Sequence, residues 1–322
     1  MSLSLMQVFQ QFIMPAAMER LSQQLGKFNA ASGGALVMTT EGFAGDFLQR
    51  SLWSSLAGAQ RRVDRYKTNS PVTPTELQQI KESAVKVAGG FGPVIFEPSQ
   101  MTYIQKATTE GIDLAAVAFS DAVLSDMLNT AIAALVAAIG NNPNTVNDVS
   151  GSAGISRVAF NDAHAKFGDA SGNLVAQIMN GVAAHKLIGQ NLTNSNQLFT
   201  AGNVTVLDVL GKPIVVTDAP ALYTAGSPNK LRVLSLASSA AVVMNDGDVV
   251  QNVQTTNGKE RIETTWQADY TFGLALKGYT WDEVNGGKSP TDAELATGTN
   301  WDQTAVSIKN TAGVMTIGNA AL

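Results

Sequence analysis

Apolar and polar positions follow a helical period over one long stretch, Ile112 to Gly140. Val117, Leu124, Leu128, Ala131 or Ile132, Leu135 and Ile139 recur every three or four residues, which stacks them on one face of a helix with about 3.6 residues per turn. Thr108, Thr109, Asp113, Asp121, Ser125 and Asp126 gather toward the start, where capping and acidic side chains favour a helix N-terminus. The run Gly140-Asn141-Asn142-Pro143 supplies a stop. At about 1.5 Å per residue the helix would exceed about 40 Å, roughly twice the usual globular length, and it predicts a spine for the subunit. In this phase Leu128 faces the core, while Asp121 and Ser125 face away from it.

Before the spine, Val8 to Phe28 is helix-prone, with Phe9, Ile13, Ala17 and Leu21 on one side and Pro15 as a kink or a start. Asn29 to Gly34 breaks it. Two readings stay open: an arm that docks elsewhere, or a helix packed on its own domain. Phe47, Leu48, Leu52, Trp53 and Leu56 form an apolar cluster. The most basic run follows, with Arg61, Arg62, Arg65 and Lys67 interleaved with Val63 and Tyr66. One such run is weak support for nucleic-acid binding; a solvated strand pair, or a contact with the acidic surface of a neighbour, explains it better. Thr73-Pro74-Thr75-Glu76 has the form of a capping box with Pro at the first helical position, whereas Ser83 to Ala88 alternates like a strand before Gly89-Gly90. Residue patterns leave Thr73 to Ala88 open between helix and strand.

After the spine the pattern is mixed. Ile155 to Phe167 predicts a helix with Ile155, Val158, Ala159, Ala163 and Phe167 inward and Gly168 closing it. Leu174 to Met179 reads as a buried strand and Gly181 to Gln190 as a short helix. Strands are expected at Val204 to Leu207, Pro213 to Val216, Leu231 to Leu236 and Ala240 to Met244, with hairpin signals at Asp246-Gly247 and Asn257-Gly258. Arg261 to Trp281 is β-rich, and Val306 to Leu322 reads as strand and loop. Without regular strand and helix alternation, this is an α+β chain.

Composition narrows the function. A chain of 322 residues holds two domains or one elaborate one. Only 15% of residues are charged, against a usual quarter, so surface normally left to solvent is expected to contact other chains. The net charge of -5 argues against a protein that coats nucleic acid, which needs clustered Lys and Arg. There is no cysteine, hence no disulfide framework or thiolate site. The first residues lack the features of a signal peptide, so the chain is expected to stay in the cytoplasm. Asp113, Asp121 and Asp126 argue against the spine as a membrane span, and the uncharged remainder from Met127 to Ile139 is too short to cross.

Candidate chemistry falls away on inspection. Gly286-Gly287-Lys288-Ser289 has the end of a phosphate-binding loop, but Asp282 stands where the pattern needs Gly, and Pro290 interrupts the segment after it. Gly151-Ser152-Ala153-Gly154 lacks the spacing of a nucleophile elbow. His164 and His185, the only histidines, have no zinc-binding context and read as packing or surface residues. Asp246-Gly247-Asp248 lacks the further ligands of a calcium loop. No catalytic residue, cofactor or metal is expected.

Ala165-Lys166-Phe167-Gly168-Asp169, Leu174 to Asn180, Leu207 to Asp218, Gly278-Tyr279-Thr280-Trp281 and, most specifically, Ser289-Pro290-Thr291-Asp292-Ala293-Glu294-Leu295-Ala296 with Asn300-Trp301 resemble major capsid proteins of tailed bacteriophages. The resemblance covers Ile155 to Trp301 well and the first hundred residues loosely. It implies the Hong Kong 97 fold: an N-terminal arm (1–45), an extended E-loop with flanking strands (46–105), a peripheral domain with the spine helix (106–150), an axial domain (151–268) and return strands of the peripheral domain (269–322). On that resemblance Ser83 to Ala88 is a strand of the E-loop. No crosslinking residues can be assigned. The resemblance implies no enzyme but a structural subunit that assembles with copies of itself into the pentamers and hexamers of an icosahedral head, enclosing double-stranded DNA without sequence-specific binding. A separate scaffold, a portal and a decoration protein are further partners it allows, and the virion is the implied location. Arg61, Arg62, Arg65, Lys67 and Tyr66 become the candidate subunit interface, with the arginines expected to pair with a neighbour's carboxylates. An encapsulin-like compartment shell shares the fold; a flagellin or surface-layer protein is the more distant alternative.

Overall fold

The computed structural model describes residues 16–21, 29, 32–53, 60–68, 71–74, 76, 79–96, 109–193, 212–245, 247–258, 260 and 263–322. Before the spine come β1 (Leu36–Thr39), β2 (Phe47–Trp53) and β3 (Gln79–Phe96). The spine α1 (Thr109–Gly140) is followed by β4 (Val146–Asp148), α2 (Arg157–Ala165), β5 (Leu174–Met179), α3 (Gly181–Thr193), β6 (Ile214–Val216), β7 (Tyr223–Thr224), β8 (Lys230–Ala237) and β9 (Ala241–Met244). The chain closes with β10 (Val249–Thr256), β11 (Glu263–Leu276), β12 (Tyr279–Trp281), α4 (Asp292–Leu295), β13 (Trp301–Gln303) and β14 (Gly313–Asn319). Val204 to Leu207, expected as a strand, lies outside the described residues.

The spine is 32 residues long, about 48 Å at the α-helical rise. Toward its C-terminal end the expected Ala131, Ile132, Leu135 and Ile139 are buried, whereas over its first half the buried face differs from the expected one. Ala116, Phe119, Val123, Met127, Ala131, Ala134, Leu135, Ala138 and Ile139 are buried, whereas Val117, Leu124 and Leu128 are only half-buried. The helix is apolar on nearly all sides, so the periodicity of its largest side chains does not define one stripe. It is long and apolar enough to cross a bilayer, yet 56% of its most apolar window is buried within the chain. Tyr270 of β11 donates its hydroxyl to Asp126 on α1 at 2.6 Å. Burial and this carboxylate together push the tyrosine's pKa well above its ordinary value.

Two mixed sheets flank the spine. In the first, strands run in the order β1-β9-β11-β3-β2, with β10 also on β11. Strand β3 does not stop at Gly89-Gly90 but continues through them along β11 to Phe96. A Cβ at Gly89 would lie 2.7 Å from the ring of Tyr270, its cross-strand partner. The glycine therefore makes room for the ring that reaches Asp126; it does not mark a strand end. The pair Asn257-Gly258 does follow β10 in a hairpin onto β11, with Gly258 at φ +88. The Asp246-Gly247 position does not form a hairpin: β9 pairs with 273–276 of β11 and β10 with 263–270, so Gly247, at φ +73, turns the chain between two segments beside the same strand.

In the second sheet the order is β4-β14-β8-β5-β6, with β7 on β8. The last strand of the chain thus lies between β4 and β8, while β9 to β11 belong with β1 to β3; the two sheets interleave along the sequence. Ser156 caps α2 by accepting from the Ala159 amide. The inward side of α2 is Ala159, Phe160, Ala163 and His164, and Val158, expected inward, is 69% exposed. Ile155 and Phe167 are buried as expected, and Gly168 closes the turn at φ +55. Of the N-terminal helical face, Ala17 and Leu21 lie within residues 16–21, and both are buried in the main core. That segment packs on its own chain; Phe9 and Ile13 lie outside the described residues.

His164 is a core histidine, 6% exposed, with Nε2 3.0 Å from Ser235 Oγ of β8. Burial, with the charge of Lys212 as a lesser cause, lowers its pKa to about 4. The unfolded chain, with histidine near 6.5, therefore binds more protons between those values. The corresponding stability is complete above about pH 6.5 and declines as pH falls toward 4, by about 2–3 kcal/mol in total. Urea titrations of wild type and His164→Gln between pH 7 and 4 should differ by one proton in the slope of stability against pH. Parallel slopes would show that the imidazole titrates freely in the native state.

Candidate interaction site: the basic arm and its base

Strands β2 and β3 form an antiparallel hairpin in which Phe47 faces Val85 and Trp53 faces Gln79. Beyond it, the described residues 60–68, 71–74 and 76 are irregular and exposed. The expected strand pair does not extend over the described basic run, and the capping box at 73–76 does not begin a helix in its described residues, all of which are exposed and so gain no burial to fix either element. Ser83 to Ala88 is strand, as the resemblance implied.

The structure brings the five expected site residues together at the outer part of this arm. Arg61, Arg62, Arg65 and Lys67 are all exposed, and Tyr66 is 92% exposed. The Tyr66 amide donates to Asp64 Oδ1 at 3.0 Å, which turns the chain there. The Arg65 guanidinium lies 5.9 Å from the Tyr66 ring centroid, a cation–π contact of small value when exposed. Among the described residues none of the four cations is within salt-bridge distance of a carboxylate. With Asp64 included, residues 60–68 carry four positive charges and one negative, a local field opposite in sign to the whole chain.

The base of the arm is tied down by residues the sequence did not reveal. Glu283, just after β12, accepts through Oε1 from Gln49 of β2 at 2.9 Å and from Lys81 and Ser83 of β3 at 2.8 and 2.7 Å. Burial acts to raise its pKa, but these donors outweigh it and hold the carboxyl below its usual range. The Ser83 amide donates to Thr280 Oγ1 at 2.8 Å. Glu82, on the opposite face of β3, has a pKa raised by burial against the opposing effects of the Gly278 amide and Arg50. Lys288 reaches Asp46 at 3.8 Å. The only sequence signal was indirect: these residues adjoin the Gly278-Tyr279-Thr280-Trp281 motif.

Packing accounts for Gly286, and the left-handed backbone at φ +73 accounts for Gly287. A Cβ on Gly286 would lie 2.2 Å from the Trp281 ring, and the Gly287 carbonyl accepts from Trp281 Nε1 at 2.9 Å. This turn wraps an indole. Among the described residues no cluster of metal-ligating side chains occurs.

The family model described as major capsid protein 13-like matches residues 5–315. The chain is similar in structure to the capsid of cyanophage Pam1, with a TM-score of 0.53 and 11% identity over 89% of this chain and 88% of that one. It is also similar to a structure from Mycobacterium phage Adephagia, with a TM-score of 0.50 and 11% identity over 90% and 88% of the two chains. At such identities the likeness concerns the fold. No curated protein matches the sequence.

Proposed function

This chain belongs to the major capsid protein 13-like family and has the Hong Kong 97-type fold of a tailed-phage structural capsid protein, and from that premise we propose that it closes into pentamers and hexamers of an icosahedral head around double-stranded DNA. The observation that carries the assembly reading is the β2–β3 arm: its base is fastened to the body, while its described outer residues are exposed. Head-to-tail contacts that close by rotation give rings, and many modest contacts acting together give a stable shell. In this reading 1–45 is the N-terminal arm, 46–105 the E-loop region, 106–150 the peripheral domain with the spine, 151–268 the axial domain and 269–322 the return strands. The strand orders join β9 to β11 with β3 and β2, and β14 with β8 and β5, so in this reading the two domains exchange strands across those bounds.

The basic outer arm supports a contact with a neighbouring copy, whose net negative charge is complementary. Packaged DNA would meet a mildly acidic shell. Scaffold, portal and decoration proteins are compatible partners, and assembly would take place in the host cytoplasm before the protein resides in the virion. Negative-stain electron microscopy of the expressed protein tests the central claim: closed shells or capsomers support it, and filaments or a monodisperse small oligomer would sink it. For the arm, the triple variant R61S/R62S/R65S is expected to fold normally yet assemble poorly, with the loss growing as salt is lowered. Each exposed pair contributes up to about 1 kcal/mol, but every subunit repeats it. Unchanged assembly yield and salt response would refute the ion-pair role.

A further inference from the structure

Glu283 collects donors from both strands of the arm onto one oxygen. Gln49 stands on β2, Lys81 and Ser83 on β3, and all three lie within 2.9 Å of Oε1. The Thr280 hydroxyl adds a fourth tie through the Ser83 amide. These contacts fall just before Val85, the residue at which β3 passes from pairing with β2 to pairing with β11. Beyond that point β2 is an edge strand, paired with β3 alone, and this cluster, with the Gly278 amide on Glu82 from the other face, holds the hairpin's direction against the body. Strand continuity through Val85 resists separation but permits bending and twisting, which strands accommodate readily.

We infer that Glu283 is a positioning residue for assembly, fixing the angle at which the β2–β3 arm leaves the subunit and so the placement of its basic end on the next copy. The inference rests on the capsid reading. Its energetic premise does not: a carboxylate holding three donors is a local interaction, and its loss frees a segment without dismantling the core. The Glu283 side chain remains 25% accessible and the Lys81 side chain 52%, so the whole-protein stability should change little, whereas the opening of the arm should become easier.

Two measurements on the full chain separate these ideas. In dissociated subunits, hydrogen exchange of Glu283→Ala is expected to be about tenfold faster at residues 47–53 and 79–85, which corresponds to losing about 1.4 kcal/mol of local protection, with 313–319 unchanged. In assembly, electron microscopy should show a broader distribution of particle diameters than wild type. Glu283→Gln keeps the accepting oxygen and is expected to restore most of the protection and the narrow distribution. Wild-type exchange in Glu283→Ala, wild-type particle diameters despite faster exchange, or no recovery with Glu283→Gln would each overturn the positioning role. Should Glu283→Ala fail to fold, Gln49→Ala and Ser83→Ala carry the same comparison. A wild-type protein that forms no particles sinks the capsid reading instead, while the exchange result still decides whether the anchorage exists.

Discussion

Leu135→Asp is expected to leave no soluble folded subunit. Leu135 is fully buried toward the C-terminal end of the spine's packed face, in the same cluster as Met315 and Ile317 of β14, Leu276 of β11 and Trp301 of β13. Removing it forfeits about 2–3 kcal/mol of apolar burial. Placing an unpaired carboxylate there adds several kcal/mol more, since no cation lies in that cluster and water is excluded. The sum is comparable to the whole stability of an ordinary domain, about 5–15 kcal/mol. Two comparisons make the test specific. Leu128→Asp, at a half-buried position, should be tolerated better, because the carboxylate can turn toward solvent. Ser125→Ala, on the exposed side, should change the unfolding free energy by no more than about 0.5 kcal/mol. Soluble yield and far-ultraviolet circular dichroism read all three. Equal behaviour of Leu135→Asp and Leu128→Asp would mean that the helix is seated in a different rotation.

That comparison also shows how far the sequence is legible. The spine's place and extent follow from its length, its stop signals and the absence of breakers, but its rotation does not. A helix with alanine, valine and leucine on all sides presents several faces that could be buried, and tertiary packing selects among them. The same limit explains α2, where Val158 and Phe160 are both apolar and only the sheet beneath decides which turns inward. Gly89-Gly90 reads as a break because the reason for a glycine in a continuing strand is an aromatic ring arriving from a residue 181 positions later, Tyr270. The basic run was legible as exposed, since four cations with few apolar neighbours have nothing to bury, but the strand pair its alternation allowed is absent from residues 60–68. Glu283 was not, because its partners Ser83 and Gln49 lie 200 and 234 residues away, and no local rule joins them.

Trp301→Ala is expected to cost about 3–5 kcal/mol, the range for deleting a large buried aromatic, and its consequences should reach the arm. Trp301 and Trp281 pack edge to face with centroids 4.9 Å apart, on paired positions of β12 and β13. Trp301 Nε1 donates to the Leu295 carbonyl at 3.0 Å, behind a capping box in which Thr291 and Glu294 satisfy each other's amides. Asn300 ties the same turn through the Glu294 carbonyl, and Gly298 passes so close to the end of the spine that a Cβ would lie 2.8 Å from the Ala137 carbonyl. The 291–301 motif is therefore a clamp on the spine's C-terminal end, and Trp281 extends it toward Glu283. Gly286→Ala should strain the same unit from the other side, by about 1–3 kcal/mol, because the added methyl meets the Trp281 ring and the Asp282 carbonyl, neither of which has room to move. Urea midpoints and the near-ultraviolet tryptophan signal measure both variants. If the indole pair holds Glu283 in place, Trp301→Ala alone should speed exchange at 47–53 and 79–85, and adding Glu283→Ala should speed it little further. Strictly additive effects would show that arm and clamp are independent, since groups acting through one another give less than the sum of their separate losses.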